Sequence, residues 1–387
     1  MANRKHTEAQ KQDLREKRET QVKELEELLT TKIEKITSIQ GWTKLFRPLI
    51  KHNFSKYSPK NQMLLIAQNA TQVNGFKAWQ HQGRKVKKGA KAMRIFAPIT
   101  VQKELPPKGK ISQEYLEDLN QGRVSDGYDD KHYTCFVGVK PTPVFDIFST
   151  TRIDGTDDTE QMRSIASQAS RKMDFETGEL KEKLIQYVSK QFKNIEIIFD
   201  ANQFAGSENG FHAYNNSHDS HRIVIDSRMS QASQLRTLAH EIGHAIMHTG
   251  IADYQKRRSL YELEAETFAF LTCALAGISD QCLTDTSATY IASWNGESKT
   301  EQICEAFSRV SEHVLPLIDE IAPHQGLAQN QSIETAELKT DLSILKTQPQ
   351  NIEKEKPQKS LKPLQAGEDN GTNSADRNTQ FRLRARS

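Results

Sequence analysis

Apolar residues recur along this chain with helical spacing in some stretches and strand spacing in others. Val22, Leu25, Leu29, Ile33 and Ile36 follow one another in three- and four-residue steps, so residues 1–36 predict a charged helix with a thin apolar stripe toward its end. NQMLLIAQNA (61–70) is helical, and AMRIFAPITVQ (92–102) reads as a strand whose Pro98 predicts an edge position or a strand end. Residues 104–130 read as a polar insertion, and HYTCFVGVKPTPVFDI (132–147) returns as strand, broken at Pro141 and Pro143. A linker over 151–161 follows, then a helix over 162–192. NIEIIFD (194–200) and HRIVIDS (221–227) are short apolar strands, with a middle strand expected near Phe211–Tyr214. Helices are expected from about Ser233 to a stop at Gly250, over 258–277, and on to Ile321. The polar run from 325 reads as mostly disordered.

These elements predict an α+β chain: an N-terminal unit over 1–150, the linker, a second unit over 162–324, and a tail over 325–387. A hydrophobic content of 36% and a mean hydropathy of −0.70 are low for one large globule, consistent with solvated helix and tail. Cys135, Cys273, Cys282 and Cys304 form no CxxC pair, which points to reduced thiols. No run approaches ~18 apolar residues and the first residues are charged, so we expect a cytoplasmic protein with no membrane partner.

Chemistry enters at TLAHEIGHAIMH (237–248). A helix puts positions i and i+4 on one face, so His240 and His244 aim their imidazoles at one point, with Glu241 beside them. This H-E-x-x-H pattern supplies two metal ligands and a general base. YELEAETFAFLTCALAGI (261–278) supplies carboxylates: Glu262 and Glu266 share a helix face, while Glu264 points roughly opposite. A single-face pair suits one ligand plus one carboxylate that orients a ligating histidine.

LAHEIGHAIMH with ELEAETFAFLTCALAGI resembles the gluzincin-type zinc metallopeptidases, in particular ImmA/IrrE-like domains. The resemblance implies a zincin-like fold and one zinc per chain on His240, His244 and Glu262, with Glu266 in the orienting place. Glu264, the acid just before Ala265, is the alternative third ligand. Glu241 would take a proton from water that attacks a peptide carbonyl. An oxyanion donor is expected among Tyr214, His212, His218, His221 and His248 without being assigned. HRIVID resembles the edge strand with which peptide substrates pair in such enzymes.

Charge distribution adds a second partner. The formal net charge is only +3, yet residues 35–103 contain no Asp or Glu. Lysines, arginines and aromatic residues interleave there, a combination suited to phosphates and unpaired bases. SPKNQMLLIAQNATQVNGFKAWQHQGRKVKKGAKAMRIFAPI (58–99), with the later PVFDIFSTT, resembles the N-terminal single-stranded-DNA-binding domain of ArdC-type antirestriction proteins. Arg84, Lys87, Lys88 and Lys91 are the expected phosphate contacts, with Lys77, Lys85 and Arg94 beside them. Trp79 and Phe76 are candidate stacking platforms and Asn61 a polar contact. Nothing in the window looks suited to reading bases, so little sequence specificity is expected.

The two resemblances together imply a single-stranded-DNA-binding zinc metalloprotease of a mobile element, acting in antirestriction or DNA transfer. The alternatives are a non-catalytic DNA shield with a structural zinc, and a repressor-cleaving regulatory protease.

Overall fold

The prolines at 141 and 143 do not break their strand. In the computed structural model, β5 runs unbroken over His132–Asp146 and pairs antiparallel with β3, Met93–Glu104, along its length. The two prolines are two residues apart, so both missing N–H groups point to the same edge of β5. Among the described residues, strands pair with that edge near its ends, β4 (Val124–Ser125) at Thr134 and Cys135 and β1 (Val73–Asn74) at Phe145 and Asp146. Pro98 does lie on an edge strand, beside an irregularity in the pairing between Ile99 and Thr100. The structure describes residues 7–52, 54–106, 112–125, 131–160, 162, 174–206, 208–249, 255–279, 282–293, 296–323 and 382–385.

The N-terminal half surrounds this sheet with α1 (Glu8–Glu34), α2 (Ile39–Phe46), α3 (Pro48–Lys51), α4 (Pro59–Ala67) and α5 (Phe76–His81). The polar insertion contains an element that its composition hides, α6 (Gln113–Asn120). The buried Asp118 of α6 ties the insertion to the sheet: Lys103 Nζ and Tyr133 Oη each donate to it at 2.8 Å, and Arg123 Nη2 at 2.5 Å. Part of the expected linker is also structured. Thr150–Arg152 forms β6 and pairs with β2 (Arg84–Val86).

In the second half, α7 (Thr177–Gln191) precedes a sheet of β7 (Ile195–Phe199), β8 (Gly210–Asn215) and β9 (Ser220–Ile225). β9 pairs parallel with β7 and antiparallel with β8, so HRIVID is an interior strand rather than the expected edge. β10 (Arg382–Ala385), four residues of the tail, lies antiparallel along the other side of β8. The rest of the tail expected to be disordered lies outside the described residues, as does Gly250. Behind the sheet stand α8 (Gln231–Met247), α9 (Arg258–Cys273), α10 (Asp285–Ser293) and α11 (Gly296–Ile321).

One buried apolar cluster crosses from the first half to the second. It joins Leu29, Trp42, Phe46 and Leu49 to Leu238, Phe268, Phe307 and Val314. Trp42 Nε1 donates to Thr267 Oγ1 at 2.8 Å, and the Phe46 and Phe307 rings lie 5.0 Å apart. Among the described residues, no helix is long and apolar enough to cross a membrane.

Candidate metal centre and basic surface

α8 begins at Ser230, whose hydroxyl accepts from the Ser233 N–H, an ordinary N-cap. Leu235, Leu238, Ala239 and Ile242 bury the helix between the sheet and α9. α9 is buried nearly all round, as expected of a central helix. The two helices approach closely at Gly243, where an added Cβ would sit 3.2 Å from Ala265 Cα and 3.4 Å from Phe268 Cβ. A glycine and an alanine facing each other thus bring Glu262 within reach of the histidines.

Three donor atoms converge there. His240 Nε2 and His244 Nε2 lie 3.0 Å apart, and Glu262 Oε2 lies 3.5 and 3.4 Å from them. Zn–N bonds of about 2.0–2.1 Å and Zn–O bonds of about 2.0–2.2 Å give tetrahedral edges of about 3.3–3.5 Å. Two edges of the triangle fall in that range and the edge between the histidines is shorter, so the three residues would fit a small divalent ion after a slight parting of the rings. It is the one metal-competent cluster found among the described residues. The other Glu262 oxygen faces the exposed Arg258 Nε at 3.5 Å. Burial alone would push the Glu262 carboxyl up, but the two imidazoles outweigh it and hold the group far below the usual carboxylate range. Glu241 is buried next to His240 on the same helix.

A second polar group lies behind His244. His244 Nδ1 is 3.1 Å from His248 Nδ1, and His248 Nε2 is 2.8 Å from Glu264 Oε2. Arg309 Nη1, from α11, donates to both Glu264 oxygens at 2.9 and 3.1 Å. Burial drives the His248 imidazole well below its ordinary value, with His244 and Arg309 acting in the same direction. Burial pushes the Glu264 carboxyl up to about 7, and Arg309 pulls against it.

The residues expected to meet DNA divide into two sets. Lys77, Lys85, Lys87, Lys88, Lys91 and Arg94 are exposed on α5, β2, the following turn and the start of β3. Left-handed backbone at Gly83 and Gly89, with φ of 71° and 80°, bounds β2 and turns the chain at both its ends. Arg84, Trp79 and Asn61 are corrections, because all three are buried. The Arg84 guanidinium pairs with Asp158, and its Nε donates to Thr150 Oγ1 at 2.7 Å. Trp79 Nε1 donates to the Phe145 carbonyl at 2.8 Å. Asn61 exchanges two 2.8 Å hydrogen bonds with the Phe96 backbone. Phe76 is 51% exposed, which leaves it available where Trp79 is not.

Comparison with known proteins follows the same division. The family model for the N-terminal domain of anti-restriction factor ArdC matches residues 15–134, and the Peptidase_M78 model, an IrrE N-terminal-like domain, matches residues 193–275. The chain joins an ArdC-type N-terminal domain to an IrrE-like domain. A curated relative, an uncharacterized protein of Bacillus anthracis, is 29% identical over 290 residues, which are 69% of this chain and 46% of the relative. The chain thus spans less than half the length of that relative. Two solved structures of the antirestriction ArdC protein from the R388 plasmid are also similar. The metal-free one has a TM-score of 0.38 and 19% identity, covering 68% of this chain and 85% of the other. The Mn(II)-bound one has a TM-score of 0.42 and 18% identity, covering 78% and 99%.

Within the IrrE-like match, the triangle takes Glu262, whereas Glu264 faces His248 and Arg309. Glu266, expected to orient a histidine, instead accepts from Ser287 and from Thr284 Oγ1, the latter at 3.1 Å, at the N-terminal end of α10. The reason is axial: Glu266 shares the face of Glu262 but sits one turn farther along α9, level with α10. Of the expected oxyanion donors, His212 and His221 stack on one another, Tyr214 bonds Asp219 at 3.0 Å, and His218 is exposed. Sequence reasoning missed Arg309 and Phe148. In the ArdC-type half, Phe148 is 38% exposed beside the basic edge, where Lys87 Nζ donates to its carbonyl at 2.9 Å. Its signal was the step from buried Ile147 to the next residue of PVFDIFSTT.

Proposed function

We propose that the chain is a single-stranded-DNA-binding metallopeptidase acting in antirestriction, with one zinc ion on His240, His244 and Glu262. The observation that carries the peptidase half is the 3.0–3.5 Å triangle of donor atoms with Glu241 adjacent in sequence to one of its members. An N,N,O donor set of this kind suits zinc. When bound, the ion supplies Lewis acidity at its open position. The chain's own residues do the rest. His240 and His244 present Nε2, and the helix contact at Gly243 and Ala265 sets the distance to Glu262. The Glu241 carboxylate accepts the proton of the attacking water and returns it to the departing amine. Burial of His240, Glu241 and His244 holds their rotamers, while Glu262 keeps one side toward solvent.

The DNA half rests on the exposed Lys77, Lys85, Lys87, Lys88, Lys91 and Arg94, with Phe76 and Phe148 near them. Cations neutralise phosphates and exposed rings stack on unpaired bases, without reading their identity. Antirestriction is the role named for the family of the N-terminal match, and it fits a protein that meets incoming single strands.

The test is cleavage of unstructured peptides by the zinc-loaded full chain, read by mass spectrometry with and without single-stranded DNA. Wild type should cut, a chelator should stop it, and Glu241→Gln should keep the metal while losing cleavage. A Glu241→Gln protein that cuts as well as wild type would remove the catalytic reading.

A further inference from the structure

His248, Glu264 and Arg309 take no part in the reaction just described, yet they form a bonded line that ends on His244. Their bonding pattern has one consistent assignment once His244 gives its Nε2 lone pair to an ion. A neutral imidazole carries its proton on the other nitrogen, so His244 Nδ1–H is a donor. Its neighbour at 3.1 Å, His248 Nδ1, must then accept. The proton of His248 therefore lies on Nε2, which donates to Glu264 Oε2 at 2.8 Å. Glu264 also accepts Arg309 Nη1 at 2.9 and 3.1 Å. The two imidazole links each use one donor and one acceptor, the second set by the first, and the line ends on the Arg309 guanidinium, which donates to both Glu264 oxygens.

The line is held from the sides as well. The Tyr261 ring lies 4.9 Å from the His248 ring, and the Arg309 guanidinium stands over the same tyrosine at 5.2 Å. His248 and Glu264 are both wholly buried. A buried carboxylate is costly unless it is bonded, so a second acid inside α9 calls for a function or a partner. Here its partners are the imidazole that leads to the metal face and a cation from α11, the helix that also packs against α1 and α4.

We propose that His248, Glu264 and Arg309 are positioning residues that fix the tautomer and ring plane of His244 and thereby set the affinity of the metal centre. The inference rests on the metal-site reading above. A carboxylate or carbonyl usually bonds a metal-bound histidine directly, and removing such a partner typically lowers metal affinity about 10–100-fold. In this chain the carboxylate acts through a second imidazole, one helical turn beyond the ligand.

The test is zinc affinity of the full chain, measured by competition with a chelator of known affinity, together with the visible spectrum of the cobalt(II)-substituted protein. His248→Phe keeps a ring but neither nitrogen, and it should lose affinity about 10–100-fold and shift the cobalt bands. His248→Gln offers one amide acceptor and one amide donor, and it should recover most of the affinity and the wild-type bands. Glu264→Gln should fall between them, and it serves as the second probe if His248→Phe does not fold. A folded His248→Phe protein with wild-type zinc affinity and an unshifted cobalt spectrum would overturn the proposal. If wild type itself holds no zinc, or if His240→Ala holds it equally well, the metal-site reading fails and this inference goes with it. If His240→Ala abolishes zinc binding while folded His248→Phe and Glu264→Gln keep wild-type affinity, the metal-site reading stands and this inference alone fails.

Discussion

At the histidine cluster, His240, Glu241 and His244 are buried, Glu262 is partly exposed, and the positions of all four are set by helix packing. Around β2, the groups that matter stand in water on α5, a short strand, a turn and the start of β3, where Arg94 faces Glu24 at 3.8 Å and Lys87 donates to the Phe148 carbonyl. The difference decides how each region does its work. On the proposed reading, the buried region selects by geometry, through a triangle of three donor atoms with edges of 3.0–3.5 Å. On the same reading, the exposed region selects by charge, an interaction that tolerates movement and falls with salt. Mutations should therefore act locally and steeply in the first region, and additively in the second.

The largest break should come from the surface. Reversing Lys85, Lys87, Lys88 and Lys91 together to Glu should lower single-stranded-DNA affinity by orders of magnitude. It should also reduce the slope of log affinity against log salt by ~3, since each phosphate contact on a single strand contributes about 0.7. Zinc content should not change. Titration by fluorescence anisotropy at several salt concentrations, with metal analysis of the same samples, checks both halves of the comparison.

Next in size is Trp79→Ala. Its ring is fully buried and its N–H is bonded, so the loss should appear as ~3–5 kcal/mol of stability in denaturant unfolding. Gly243→Ala should cost ~1–3 kcal/mol, because the new methyl meets the α9 backbone at 3.2 Å. Unlike Trp79→Ala, it should also weaken zinc binding by moving Glu262 away from the histidines. Phe76→Ala and Phe148→Ala should each leave stability nearly unchanged and cost ~1–3 kcal/mol of strand affinity for each base stacked.

The smallest effect is a pH dependence in the N-terminal half. Burial, aided by the Lys51 charge and opposed by Asp146, lowers the His52 imidazole from 6.5 to about 4. The unfolded chain thus takes up this proton before the folded one does. The contribution of His52 to stability is full above pH 6.5 and is lost as pH falls toward 4. His52→Gln should flatten the slope of Tm against pH across that window and leave it unchanged above pH 7.

The sequence made the buried region legible in outline because its signal is spacing. His240 and His244 on one face, and Glu262 on the next helix, follow from helix geometry. Glu264 was harder to read, because a residue pointing away from Glu262 on an amphipathic helix would face solvent. α9 is instead covered on all sides, so its opposite face is also interior and meets His248 and Arg309. Arg309 lies 45 residues from Glu264, and periodicity carries no information at that separation. The surface region shows the converse. The absence of Asp and Glu over 35–103 marked the charge correctly but could not tell which cations face outward. Arg84 alternates with Lys85 along β2, so one goes in while the other goes out, and the partner that makes Arg84 interior, Asp158, lies 74 residues on. The prolines of β5 misled for a similar reason: their cost depends on which edge of the strand is paired, a property of the sheet.

The most direct test of the account is the metal content of the purified full chain. It predicts close to one zinc per wild-type chain, and none for His240→Ala, His244→Ala or Glu262→Ala, each still folded by circular dichroism. Wild-type protein that carries no divalent metal after incubation with zinc, or a folded Glu262→Ala variant that holds it as tightly as wild type, would contradict the triangle of donors on which the rest depends.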